Sequence, residues 1–180
     1  MTRAPLPLLS LFALVLGTLV LSAPAPAAAD ELDDARFLRQ CVETQLKAGT
    51  AKAESACLGL IALPCTDAGP SGEDAAAQEQ HETACLTREY DAWQVAMDEW
   101  WPDLLAAAVT LDARDDRQSA SADALRQAQR SWESFATAEC GYAAALWGRS
   151  SYRDVSRADC EMRTLARRAI QLRAQIGLDS

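Results

Sequence analysis

Along this chain apolar residues recur at steps of three and four in three long stretches, the spacing that gathers one face of an α-helix. In the first, Leu86, Tyr90, Trp93, Met97, Trp100 and Leu104 form a heptad-like stripe with an aromatic bias, within a helix expected over about 74–108. Pro102 lies inside that stripe. A proline there removes a hydrogen bond and crowds the preceding turn, so a kink or short break is expected near Trp100 and Trp101. In the second stretch Leu125, Ala128, Trp132 and Phe135, continued by Tyr142 and Leu146, predict a helix that opens at Ser121, reaches about Leu146 and buries that row. Cys140 lies off the row, where it can tie the helix to a neighbour. In the third, Val155, Ala158, Met162, Leu165, Ala169, Leu172 and Ile176 hold the spacing until Gly177 stops the helix.

The region ahead of these stretches is thinner. Residues 30–48 read as a helix, with Asp30, Glu31, Asp33 and Asp34 at its dipole-positive start and a narrow line of Leu38, Val42 and Leu46. Thr50 is placed to cap a second short helix over 51–62, which Pro64 ends. Residues 66–74 are a loop by their Gly, Pro, Ser and Asp content. No stretch shows the sustained period-two alternation of a strand. The expected fold is all-α: an antiparallel bundle of three long helices, stapled by disulfides, with two short N-terminal helices folded onto it.

Composition changes this picture at the N-terminus. Arg3, the apolar run over 6–21 and the small residues Ala27, Ala28 and Ala29 ahead of Asp30 read as a signal peptide over 1–29, cleaved after Ala29. The mature chain, 30–180, then has no segment apolar enough to span a bilayer, and a periplasmic or secreted product is expected. It reads as a single domain, with a cystine-bearing extension over 30–73 and a helical core over 74–180. Loss of Arg3 from the 17 basic residues leaves 16 against 26 acidic ones, a charge of −10. Residues 30–100 carry 15 acids and 5 bases, whereas 101–180 carry 11 of each. So acidic a chain is a poor partner for nucleic acid and a fair one for a cationic protein.

Six cysteines, at 41, 57, 65, 85, 140 and 160, imply three disulfides in an exported chain. Cys140 and Cys160 stand near the facing ends of two helices joined by a tight turn. Cys41 with Cys57, and Cys65 with Cys85, each flank one turn or loop. Those are the expected pairs. Zinc lacks both the close C-x-x-C spacing and a second imidazole, since His81, which reads as a solvated surface residue, is the single histidine. No nucleophile elbow, zinc-protease helix or phosphate loop appears, and no acid pair has a geometry for acid–base work. An enzyme is not indicated, and no cofactor or metal is expected.

One constellation is specific. ACLTREYDAW over 84–93, then L-x-x-A-Q-R-x-W from Leu125 to Trp132 with Cys140 eight residues on, then a Gly/Ser turn, Cys160 and R-A-x-x-L from Arg168, resemble the lysozyme inhibitor LprI-like N-terminal domain. CLGLIALPC over 57–65 resembles the extension of some exported members. Trp93, Gln129, Arg130, Trp132 and Arg168 fit the family's motif, and as residues they read as structural: the two indoles in the core, the polar ones orienting helices. The chain departs from the pattern W-D-x-x-L-N-x-x-Y, with Gln94, Met97, Asp98 and Trp101, and has Ala136 where an arginine often follows the aromatic. The resemblance implies an exported protein-binding module that inhibits lysozyme-type muramidases. The alternative is an envelope structural or assembly protein without that activity. For a cationic lysozyme the expected contact patch is Asp98, Glu99, Trp100, Trp101 and Asp103, where Pro102 should turn side chains outward.

Overall fold

The computed structural model describes residues 26–72, 74–114 and 120–176, and every element among them is helical. In chain order these are α1 (Pro26–Gln45), a 3-10 turn (Leu46–Ala48), α2 (Thr50–Cys57), α3 (Ala62–Asp67), α4 (Ala75–Arg114), α5 (Ser121–Ala145) and α6 (Arg153–Ile176). The expected leader lies outside the described residues except for 26–29, which open α1. None of these helices is long and apolar enough to cross a membrane.

α4 is the axis, touching α1, α3, α5 and α6. Asp74 accepts the Ala77 N–H at 3.2 Å and so caps its start. Its stripe buries Leu86, Trp93, Met97, Trp100 and Leu104 as the spacing predicts. The expected break at Pro102 does not occur: the 40-residue helix runs through it. The proline is exposed while Trp100 and Leu104 on either side are buried, so packing holds the helix across the missing bond. α6 lies along α4 and buries Val155, Ala158, Met162, Leu165, Ala169 and Leu172 from its predicted row, together with Ala166 and Ile170.

α5 is turned from its expected orientation. Its buried residues are Ala122, Cys140 and Ala144, and Leu125 and Trp132 are half-buried, whereas Phe135, Tyr142 and Leu146 are 57%, 62% and 67% exposed. The Cys140–Cys160 disulfide holds Cys140 against α6, and the small Ala122 and Ala144 on the same side let the helix approach closely. The large apolar row is thereby left outside. At the start of α5, Asp112 near the end of α4 accepts the N–H groups of Ser121 at 2.7 Å and Ala122 at 3.1 Å.

The three expected cystines are present, Cys41–Cys57, Cys65–Cys85 and Cys140–Cys160. Cys41–Cys57 joins α1 to α2, and α1 buries Ala35, Leu38 and Val42 beneath it. Ion pairs from α1 reach across: Asp34 with Arg88 at 2.6 Å, Arg39 with Glu99, and Glu43 with Arg173 at 2.6 Å. The predicted helix over 51–62 is shorter, ending at Cys57. The chain then turns through 58–61 into α3, where Pro64 sits in the first turn and its absent N–H costs little.

That turn closes on Glu89 of α4. The carboxylate is fully buried and accepts the N–H of Gly59 at 2.7 Å, Ile61 at 2.9 Å and Ala62 at 2.8 Å, together with the Trp93 indole N–H at 3.1 Å. Gly59 is required there. Its φ is +78°, and a Cβ would lie 2.8 Å from the Leu63 side chain.

Candidate functional site

Because α5 packs more closely on α6 than on α4, a groove of about 540 Å³ opens between α4 and α5, floored by α6. α4 supplies Tyr90, Gln94, Met97, Asp98 and Trp101 at helical spacing; α5 supplies Arg126, Gln129, Arg130, Trp132, Glu133, Ala136 and Thr137; Glu161 and Leu165 come from α6. Tyr90, Trp101 and Trp132 are half-buried, with part of each ring available from outside. The volume falls within the range of small-molecule and side-chain pockets.

The Trp132 ring is held from behind. Arg168 of α6 places its guanidinium carbon 5.8 Å from the ring centroid, a cation–π contact, and donates Nε to Gln129 Oε1 at 3.2 Å. Gln129 in turn donates to Glu133 Oε1 at 3.2 Å. This chain of bonds crosses from α6 to the outer rim of α5 and fixes the groove's polar wall. Burial lowers the Arg168 pKa from its usual range. Arg126 is drawn towards Asp123, 2.9 Å away, and Arg130 towards Gln127, 2.7 Å away. The groove thus has Asp98 on its α4 wall, Arg126, Arg130 and Glu133 on its α5 wall and Glu161 at its floor.

Tyr90 reports on that field. Burial, then the nearby Glu161 and Asp91 carboxylates, push its phenol pKa above the ordinary value of 10.0. Tyr152, beside Trp147, is raised by burial first and by Glu82, Asp159 and Glu79 after it. The neutral phenol is favoured in the folded chain. Its contribution to stability is fully present below the ordinary tyrosine pKa and is lost as pH rises through the raised one. Alkaline titration of phenol absorbance is therefore expected to show late-ionising tyrosines, one of which disappears in Tyr90→Phe; a titration unchanged by Tyr90→Phe would contradict the assignment.

The expected contact patch is divided by the helix it sits on. Asp98 and Trp101 enter the groove, Asp103 is exposed outside its lining, and Glu99 turns away to pair with Arg39. Trp100 corrects the sequence reading: it is 7% exposed and belongs to the core, because one of two adjacent indoles on a helix packed along one side must face inward. Of the motif residues, Trp93 is fully buried, whereas Trp132, expected in the core, is half-buried in the groove with Gln129 and the exposed Arg130. Gln94, Met97, Asp98, Trp101 and Ala136, where the sequence departs from the pattern it resembles, all line the groove.

Tyr90, Glu133 and Glu161 were not singled out by sequence. Tyr90 stood in the apolar stripe, and the two acids resemble any solvated carboxylate. His81 is also corrected: it is half-buried, with Nε2 2.9 Å from the Cys65 carbonyl oxygen and 3.5 Å from Cys85 Sγ. Ligand atoms of Cys65, His81 and Cys85 lie within 4.8 Å of one another, but both sulfurs are committed to the cystine and neither is a thiolate.

Compared with known families, residues 72–172 match the model described as lysozyme inhibitor LprI, more than half of the chain and the whole of the groove. No curated protein and no solved structure matches the chain significantly.

Proposed function

We propose, on the premise that the chain belongs to the lysozyme inhibitor LprI family, that it is an exported protein-binding module which inhibits a lysozyme-type muramidase through the α4–α5 groove. The observation that carries this reading is the groove itself, which collects three half-buried aromatic rings and both polarities of charge on one rigid scaffold. Partly exposed Trp and Tyr rings are the side chains that interface hot spots favour. Net charge supports it: the sequence carries −9, concentrated before residue 101, and such a field speeds encounter with a cationic enzyme.

The reading includes a leader over 1–29 cleaved near Ala29, a periplasmic or secreted product and a single domain over 30–180. Three cystines fit an oxidising compartment. Inhibition by occupation of a cleft requires no catalytic group, cofactor or metal from this chain. The altered lining at Gln94, Asp98, Trp101 and Ala136 would set which lysozyme type is recognised.

The deciding measurement is a cell-wall lysis assay with purified oxidised protein against several lysozyme types, at low and physiological salt. Inhibition at physiological salt is expected, and Trp101→Ala and Asp98→Lys should each weaken it at least about tenfold, about 1.4 kcal/mol, while melting near wild type. Failure to inhibit any type at micromolar protein would favour an envelope assembly protein instead.

A further inference from the structure

The outward face of α5 carries exposed apolar residues along its length, interrupted by Ser131 and Glu139, and it is a different face from the groove wall. Phe135 stands at its middle, 57% exposed, and the exposed positions four, seven and eleven residues to either side share its face. These are Ser131 and Glu139, Ala128 and Tyr142, Ala124 and Leu146. In every pair the small or hydroxyl-bearing residue is on the N-terminal side and the large or acidic one on the C-terminal side. A helix so patterned is complementary to itself when reversed.

We propose that this face pairs with the same face of a second copy of the chain, antiparallel about a twofold axis at Phe135. The two phenyl rings then meet on the axis. Ala128 of each copy receives Tyr142 of the other, and Ala124 receives Leu146, so each large side chain enters a space left by a methyl group. Ser131 faces Glu139 and donates its hydroxyl to the carboxylate.

Charge selects a second copy at this face rather than elsewhere. The chain carries −9 and two copies repel on average, but residues 101–180 hold equal numbers of acids and bases, and on this face Glu139 is the one charge between Ala124 and Leu146. Arg126, Arg130 and Glu133 point into the groove instead. Pairing therefore leaves both grooves open, one on each copy.

Sedimentation velocity and light scattering on the oxidised mature chain, from low to high micromolar, test the pairing. A monomer–dimer equilibrium is expected. Phe135→Glu, which sets two carboxylates on the axis, should weaken it at least tenfold without changing circular dichroism, since the residue is exposed. Ser131→Lys, opposite Glu139, should tighten the dimer severalfold at low salt and lose that gain at high salt, whereas Ser131→Glu should weaken it. A wild-type chain that stays monomeric throughout, a dimer that survives Phe135→Glu, or Ser131→Lys and Ser131→Glu acting alike would each overturn the proposal. Lysis assays on Phe135→Glu separate this outcome from the inhibitor reading, which does not require the dimer.

Discussion

Glu89→Ala is expected to destabilise the protein by about 4 kcal/mol, with the N-terminal region loosening first. The substitution removes the acceptor of three backbone N–H groups and one indole N–H, all converging on a fully buried carboxylate. Each buried donor left without a partner costs about 1–3 kcal/mol, reduced where water enters the space. Breaking a buried charged network by deleting one member typically costs 3–5 kcal/mol. Glu89→Gln should recover little, because an amide offers one oxygen where two accept and turns an NH2 towards donors. Urea denaturation measures the loss, and hydrogen exchange locates it: protection should fall first at Gly59, Ile61 and Ala62. A variant that melts like wild type would mean the turn is held by something other than this carboxylate.

Reduction of the three cystines should have a larger effect. They close sequence separations of 16, 20 and 20 residues, each restricting the unfolded chain by about 3 kcal/mol in the chain-entropy treatment. Together about 9 kcal/mol is set against a typical net stability of about 5–15 kcal/mol. At about 2–4 °C per kcal/mol for a domain of this size, the melting temperature of reduced and alkylated protein should fall on the order of 25 °C. Scanning calorimetry of the two forms gives the comparison. A fall of only a few degrees would place the stability in the α4–α6 core, with the cystines as minor additions.

The α4 and α6 rows could be read from sequence because each helix buries one continuous stripe of large side chains, the case in which spacing is an unambiguous guide. α5 misled because Phe135, Tyr142 and Leu146 of its apolar row are on the outside. Its buried positions are the small Ala122, Cys140 and Ala144, with Leu125 and Trp132 only half-buried, and the disulfide holds that side against α6. The groove follows from that choice and was hidden for the same reason. Trp132 moved from an expected core to a groove wall, and Trp100 left the expected contact patch for the buried stripe its spacing predicts.

Glu89 had a signal that went unused. It lies three residues after Leu86 and four before Trp93, so it belongs to the buried face of α4 by position and is out of place there by chemistry. An acid within an apolar stripe calls for donors from a neighbour, and the nearest unpaired backbone groups are those of the turn before Pro64. Pro102 is the converse: a residue whose local preference is for a break, overruled by the buried residues around it.

The cystines also bear on how the molecule is made. Each joins a cysteine to the next one along the chain, first with second, third with fourth and fifth with sixth. A polypeptide threaded through a membrane N-terminus first presents its thiols in that same order, and every native partner is the next to emerge. An oxidase that couples each cysteine to the following one would produce the native set directly, with no reshuffling by an isomerase.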